Sequence, residues 1–147
     1  ASLLNRLEQY KKAEENAQLA LDDPRYPNQD LAYINLGNAL LGQQKFPEAI
    51  RAFQQAKTFN PSNVLPDLRL ADTFFKQNKL REASVLYEAL ILKQQANRSA
   101  VEGLLLVLKK QHDNHRARQI LRQFSEQTSS PMDKAWAFNQ IDRLDRP

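Results

Sequence analysis

The residues best suited to chemistry in this chain are its two histidines. His112 and His115 flank Asp113, and side chains three residues apart lie on one face of a helix, where they can share a metal ion. The apolar pattern, however, places this segment in a turn between two helices, and the sequence has no third histidine and no cysteine. We therefore predict an exposed turn and no metal site.

Adjacent acidic residues offer no better candidate for catalysis. The pairs Glu14–Glu15 and Asp22–Asp23 are neighbours in sequence, and neighbouring side chains on a helix point away from one another. They therefore imply no pair of general acid and general base. The sequence also lacks a glycine-rich phosphate loop and a nucleophile motif, with three glycines in 147 residues. We predict that the chain is not an enzyme, has no catalytic residue and needs no cofactor.

Basic residues gather near the C-terminus. Residues 1–50 carry five Lys or Arg and seven Asp or Glu, whereas residues 98–147 carry nine and six. Five of the basic residues surround one predicted helix pair: Lys109, Lys110, Arg116, Arg118 and Arg122. Acidic residues are mixed with them, but aromatic residues for base stacking are not. We interpret the cluster as a solvated face and predict no nucleic-acid partner.

The sequence predicts no membrane span. Its longest uninterrupted apolar run, Leu104 to Leu108, is far shorter than the roughly 20 residues that a spanning helix needs. The absence of cysteine excludes disulfides, but it suits a reducing cytosol and a disulfide-free periplasmic protein equally well. Composition therefore does not select a compartment.

The organising feature of the sequence is a helical hairpin at residues 30–61. Its first helix carries apolar residues at i, i+3, i+4 and i+7, and its second carries a similar stripe that ends at Pro61, because proline has no N–H to continue a helix. The two stripes are Tyr33, Leu36, Gly37 and Leu40, then Phe46, Ala49, Phe53 and Ala56. The small residues Gly37 and Ala49 predict that the two helices cross closely.

The hairpin pattern recurs with a period of 34 residues. An alanine at the crossing appears at Ala49, Ala83 and Ala117. In the second copy Gln95 stands where the closing proline would be, and in the third Leu105 replaces the small residue of the first helix. Because one hairpin leaves an apolar face uncovered, the repeats are expected to stack.

A further stripe precedes the complete hairpin and has the spacing of a second helix: Tyr10, Ala13, Ala17 and Ala20. The first helix of that hairpin would begin about a dozen residues earlier, so we expect the chain to begin inside a helix. Across the chain we predict helices at about residues 2–7, 9–22, 29–43, 46–59, 63–77, 80–95, 98–110, 114–127 and 131–144.

The spacing at residues 30–63 resembles the tetratricopeptide repeat (TPR) at every signature position, with Tyr33 where the motif usually has Trp. The resemblance implies an all-α fold, a right-handed superhelix (TPR solenoid) of antiparallel helical hairpins with a C-terminal capping helix. We predict one domain, made of a partial repeat at 1–27, repeats at 30–63 and 64–97, a degenerate repeat at 98–129 and a capping helix at 130–147.

In TPR proteins a second stripe on the first helix of each repeat faces a concave groove, so the resemblance implies a groove for a protein partner. The residues predicted to line it are Leu31, Ile34, Asn38, Leu41, Leu65, Leu68, Asp72, Phe75 and Leu106. The alternative is that these residues only pack one repeat against the next. The carboxylate clamp of chaperone-binding TPR domains is incomplete, since only Asn38 and Arg69 match it. Apolar ligands, extended or helical, are therefore expected.

A narrower resemblance begins at the connection Asp23-Pro24-Arg25-Tyr26-Pro27 and continues through Ala32, Asn35, Leu36 and Gly37. This stretch is similar to the linker and repeat start of the type IV pilus pilotin family, which are TPR lipoproteins of the outer membrane that assist secretin assembly. The segment Ser129-Ser130-Pro131 before the last helix agrees with the family's order of parts. The family's lipidated cysteine and first repeats do not occur in residues 1–147.

The pilotin resemblance implies a non-enzymatic scaffold whose partner is a secretin subunit or a segment of one. It also implies a location at the periplasmic face of the outer membrane, with membrane attachment only through a lipid anchor that this chain does not contain. Two alternatives are kept beside it. One is a generic cytosolic TPR adaptor or co-chaperone, and the other is a TPR module of a larger protein.

Overall fold

The chain folds into α-helices connected by short turns. The computed structural model describes residues 2–93 and 97–146, and these residues form eight helices and no strand. The helices are α1 (Leu3–Asp22), α2 (Gln29–Gly42), α3 (Phe46–Phe59), α4 (Leu65–Lys76), α5 (Leu80–Lys93), α6 (Arg98–Lys110), α7 (Asn114–Gln127) and α8 (Pro131–Leu144). In this part of the chain, no helix combines the length and the apolar character needed to cross a membrane.

One predicted boundary is wrong. The break expected between residues 7 and 9 does not occur, and α1 is continuous from Leu3 to Asp22. This stretch contains no glycine or proline and is rich in Leu, Gln, Glu, Lys and Ala, which all favour a helix. The Ser2 side chain caps α1 by accepting a hydrogen bond from the Asn5 N–H at 3.2 Å. The predicted end at residue 95, including Gln95, lies outside the described residues.

The chain divides into two compact units, one ending at Gln77 and the other beginning at Asn78. The division falls between α4 and α5, inside the second predicted repeat. In the first unit α2 packs against α1 and α3, and α4 packs against α3 and α2. In the second unit α6 packs against α5 and α7, and α8 packs against α7.

The close crossing predicted in the first hairpin is present between α2 and α3. A Cβ atom added to Gly37 would lie 2.5 Å from Cε1 of Phe53, which is closer than any real Cβ contact. Phe53 and Ala49 are both 0% exposed, so the ring has no open side toward which it could move. The missing side chain at Gly37 is therefore what admits the phenyl ring.

Three residues in turns after predicted first helices repeat the 34-residue period in their backbone geometry. Gln44, Asn78 and His112 are the described residues other than glycine that have positive φ, at 61°, 61° and 57°. Each follows the end of a predicted first helix and is exposed. At Gln44 and His112 the left-handed conformation reverses the chain sharply enough for the next helix of the same unit to begin within a few residues.

The turn that holds His112 shows how this reversal is stabilised. The His112 N–H donates to the Lys109 carbonyl at 3.1 Å, and the Asp113 N–H donates to the Leu108 carbonyl at 2.9 Å. These two bonds form a Schellman motif, which satisfies carbonyls at the end of α6. The Asp113 carboxylate then accepts from the Arg116 N–H at 3.0 Å and caps α7. His112 and Asp113 therefore have a structural role in the turn.

We expect Gly37→Ala to lower the free energy of unfolding by about 1–3 kcal/mol, although Ala favours a helix more than Gly, because the new methyl group overlaps a fully buried ring. Gly42→Ala is a matched control. Its Cβ would also lie 2.5 Å from a ring, that of Tyr10, but Tyr10 is 37% exposed and can turn aside. Urea unfolding followed by circular dichroism measures both variants. Equal losses of unfolding free energy in the two variants would contradict a special role for the close crossing at Gly37. Adding Phe53→Leu to Gly37→Ala should restore part of the lost unfolding free energy.

The positive φ angles give a second prediction, of the opposite sign. A left-handed L-residue costs about 1–2 kcal/mol, and glycine avoids that cost at an entropic penalty of about 0.5–1 kcal/mol. Gln44→Gly and His112→Gly should therefore each stabilise the protein by about 0.5–1 kcal/mol. Asn78→Gly should increase the stability by a smaller amount, because asparagine tolerates this conformation. Thermal unfolding of the three variants beside Gln44→Ala is the measurement, and a loss of stability in all three glycine variants would contradict the turn geometry.

Candidate functional site

The candidate site in the first unit is a cleft between α1 and α2. Its volume is about 420 Å³, within the range of roughly 300–1,000 Å³ that is usual for ligand pockets. Small side chains form much of the lining, and tyrosine and asparagine side chains add polar groups to it. The helix α1 contributes Tyr10, Ala13, Asn16, Ala17 and Ala20, and α2 contributes Ala32, Asn35, Asn38 and Ala39. Tyr26, from the connection between the two helices, completes the lining.

The α1 side of the cleft carries the same apolar pattern as α3. Its stripe from Tyr10 to Ala20 lies 36 residues before the stripe from Phe46 to Ala56. On α3 the residues of this stripe from Ala49 onward are fully buried and pack toward α2, whereas Tyr10 and Ala13 are exposed. The cleft therefore lies where a helix packs in the complete hairpin.

The α2 side of the cleft includes Asn35 and Asn38, which share one face of that helix with Leu31. At about 100° per residue, Leu31, Asn35 and Asn38 fall on one side. Leu31 and Asn35 are exposed and Asn38 is half-buried, while side chains around the rest of α2 are buried or half-buried. Amide side chains both donate and accept hydrogen bonds, which suits the backbone of a bound peptide.

Two of the predicted groove residues are not on the surface. Ile34 is 3% exposed and Leu41 is 8% exposed, so the expectation that they line an open groove is wrong. The physical reason is that α2 packs against α1, α3 and α4 together, and a helix with neighbours on several sides buries side chains around most of its circumference. For these two residues the packing alternative is correct.

The other predicted groove residues divide between the two units. On α4, Leu65, Leu68 and Phe75 are half-buried, and the Asp72 carboxylate forms an ion pair with the Arg69 guanidinium at 3.0 Å. The ion pair occupies one of the two side chains that match a carboxylate clamp. A ligand-binding role for these α4 residues stays a prediction. In the second unit, Leu106 is 52% exposed.

Leu106 lines a second cleft, formed in the second unit by α6, α7 and α8. Its volume is about 400 Å³. Leucine side chains and Ala117 make up its apolar surface, and Lys109, Arg143 and Arg146 bring positive charge. The sequence predicted Leu106 as a groove residue and Lys109 as part of a solvated basic cluster, but it missed the residues of α8. The sequence signal for them is the apolar Leu144 next to the basic Arg143 in α8, a helix that we interpreted only as a cap.

The lining of both clefts favours binding over catalysis. Neither cleft is lined by a histidine, a carboxylate or a hydroxyl other than those of the tyrosines. Across residues 2–93 and 97–146, no three His, Cys, Asp or Glu side chains come together in a way that could hold a metal ion. The chemistry available at both sites is therefore apolar contact, amide hydrogen bonding and, in the second cleft, attraction of negative charge.

Comparison with known proteins agrees with this geometry. Residues 31–63 match the family model for the tetratricopeptide repeat. No curated protein sequence matches the chain. Among solved structures, a tetratricopeptide repeat protein from Parabacteroides merdae is similar over 97% of this chain, with a TM-score of 0.70 and 16% identity. This chain spans 58% of that protein's chain.

The Sgt2 TPR domain from Aspergillus fumigatus is also similar, with a TM-score of 0.60 and 18% identity over 81% of this chain and 83% of that domain. At such identities the likeness concerns the fold alone. The prediction of an all-α fold of the TPR class is confirmed. TPR folds are scaffolds for protein–protein interaction, and stacked repeats of this kind present extended binding surfaces.

Proposed function

We propose that this chain is a protein-binding scaffold in which the cleft between α1 and α2 receives a helix from another protein. The observation that carries the proposal is that Tyr10 and Ala13 of the α1 stripe are exposed, whereas Ala17 further along the stripe is buried. Ala13 and Ala17 stand where Ala49 and Phe53 stand on α3, and on α3 that stripe packs under a helix. A helix with large apolar side chains three and four residues apart would bury the same kind of surface on α1.

Small residues make the cleft suitable for a helix. An incoming backbone can approach alanine closely, so that its large side chains fill the space on either side. Ala32 and Ala39 bring small side chains from the α2 wall, and Asn35 and Asn38 supply polar groups beside them. The ligand is therefore expected to be amphipathic, with its apolar face toward α1 and its polar face toward solvent.

The partner we propose is a segment of an outer-membrane secretin, which makes the chain a pilotin-like factor in secretin assembly or localisation during type IV pilus biogenesis. Support comes from the connection Asp23–Pro27, which resembles that of pilotins. The Tyr26 N–H donates to the Asp23 carbonyl at 3.0 Å, and the Gln29 side chain donates to the Tyr26 carbonyl at 3.1 Å. These bonds fix the turn whose Tyr26 side chain lines the cleft. On this proposal the chain works at the periplasmic face of the outer membrane.

A cytosolic adaptor, or a TPR module of a larger protein, is the second candidate function. The match at residues 31–63 favours it equally, because that pattern is common to TPR proteins. The full-length gene distinguishes the two candidates. A lipobox cysteine upstream, with pilus genes nearby, supports the pilotin role, whereas a product without an export signal supports the adaptor.

The test is binding of purified secretin fragments to the parent protein and to Ala13→Arg. Ala13 is exposed, so the fold should survive, but a guanidinium in the cleft would have to be buried by the bound helix. We expect affinity to fall by about tenfold or more. Leu19→Arg is the matched control, since Leu19 is exposed on the same helix and outside the cleft. Isothermal titration calorimetry measures affinity, and circular dichroism checks folding.

The outcomes separate the two levels of the proposal. If no secretin fragment binds the parent protein, the pilotin role is wrong. If fragments bind the parent and Ala13→Arg with equal affinity, the partner uses another surface and the cleft assignment is wrong. Equal weakening by Ala13→Arg and Leu19→Arg would indicate general repulsion of a basic partner and would also contradict the cleft assignment.

A further inference from the structure

In the second unit, the first turns of α8 are anchored on α6 and α7. The Arg98 guanidinium lies 3.2 Å from the Asp133 carboxylate and 4.5 Å from the centre of the Trp136 ring. The Trp136 ring meets Phe124 edge to face, with centroids 5.8 Å apart. The hydrogen bond from Arg98 to Glu102, together with the one to Asp133, raises the pKa of Arg98 above its ordinary value. The guanidinium that joins α6 to α8 is therefore always charged.

The later turns of α8 enclose a cleft with α6 and α7. Leu144 of α8, Leu105 and Leu106 of α6, and Leu121 of α7 line it with apolar surface. Leu105 occupies the position that Gly37 has in the first repeat, so a bulky side chain stands where the complete hairpin has none. The volume of about 400 Å³ accommodates a few large side chains of a ligand.

The charges that line this cleft all have one sign. Lys109 and Arg143 form no ion pair with any side chain in residues 2–93 or 97–146. Arg146 is paired with Asp142 at 2.8 Å, and no acidic residue lines the cleft. Two cations without a partner beside apolar surface are complementary to a ligand that carries carboxylates next to apolar side chains.

We propose that this cleft binds an acidic, amphipathic peptide segment, with its leucine-like side chains against Leu106 and Leu144 and its carboxylates at Lys109 and Arg143. A peptide fits better than an acyl chain because the amide side chains of Asn114 and Gln140 also line the cleft. Those amide groups can donate hydrogen bonds to a peptide backbone and accept hydrogen bonds from it. A hydrocarbon tail has no groups that could form such bonds. This surface is separate from the α1–α2 cleft and does not depend on a secretin partner.

The test uses three fluorescent synthetic helices of about 16 residues, long enough to form helix when bound. All three carry leucines at i, i+3 and i+7, and the flanking positions are glutamate, glutamine or lysine. Fluorescence anisotropy with the full 147-residue chain measures the affinity of each. We expect the glutamate peptide to bind about tenfold more tightly than the glutamine peptide, and more tightly still than the lysine peptide. High salt should reduce this difference.

Matched double variants assign the binding to the cleft. Lys109→Gln with Arg143→Gln should weaken binding of the glutamate peptide about tenfold. Arg122→Gln with Lys134→Gln removes the same charge from exposed positions outside the cleft and should change affinity less than about twofold. Leu106→Glu should also weaken binding, because its carboxylate repels the ligand and interrupts the apolar surface. Circular dichroism confirms that each variant is folded.

Three results would overturn the proposal. The first is equal affinity for the three peptides, or no binding of the glutamate peptide. The second is equal weakening by the two double variants, which would reveal attraction to overall charge. The third is binding to phosphatidylglycerol vesicles that displaces the glutamate peptide and is lost with Lys109→Gln and Arg143→Gln, which would assign the cleft to an anionic lipid surface.

Discussion

The structure depends on the close approach of helices at positions that lack a side chain. At Gly37 the ring of Phe53 occupies the space that a Cβ would need, and in the second unit the ring of Tyr87 does the same at Gly103. Both rings are almost completely buried. Since protein interiors are close-packed, even one added methylene at such a point lowers the stability of the fold. The packing of both units therefore depends on glycine at the points where an aromatic ring of the neighbouring helix approaches the backbone.

The same constraint explains why the candidate binding surfaces lie where they do. On α1 the small-residue stripe is buried at Ala17 but exposed at Tyr10 and Ala13, and all three residues line a cleft with α2. On α6 the small residue has become Leu105, and the neighbouring space between α6 and α8 forms the second cleft. One surface is the exposed part of a hairpin stripe, and the other lies where the repeat pattern is lost. We propose different ligands for them, an amphipathic helix at the first and an acidic amphipathic peptide at the second.

Much of the fold could be predicted from the sequence because the spacing of apolar residues and the residues that end helices are local signals. The 34-residue spacing of Ala49, Ala83 and Ala117 and the stop at Pro61 were sufficient for the hairpins of α2 with α3 and of α6 with α7. The burial of Ile34 and Leu41 could not be predicted, since a helical stripe shows which faces are apolar but not how many neighbours cover them. The left-handed turns at Gln44 and His112 gave no signal, because neither residue favours that conformation. The contribution of α8 to the second cleft was missed because that cleft forms only in three dimensions, with residues of α6 and α7.

We propose that the stripe of α1 accepts a helix as the stripe of α3 does. Because the chain contains no cysteine, a single thiol placed at Ala13 or at Ala49 reports the accessibility of each stripe without background. We expect Ala49→Cys to react slowly with a maleimide and Ala13→Cys to react fast, and we expect saturation with a synthetic helix of the α2 sequence to protect Ala13→Cys. Slow reaction of Ala13→Cys in the free protein, or undiminished reaction in the presence of the saturating helix, would show that the stripe of α1 does not accept a helix.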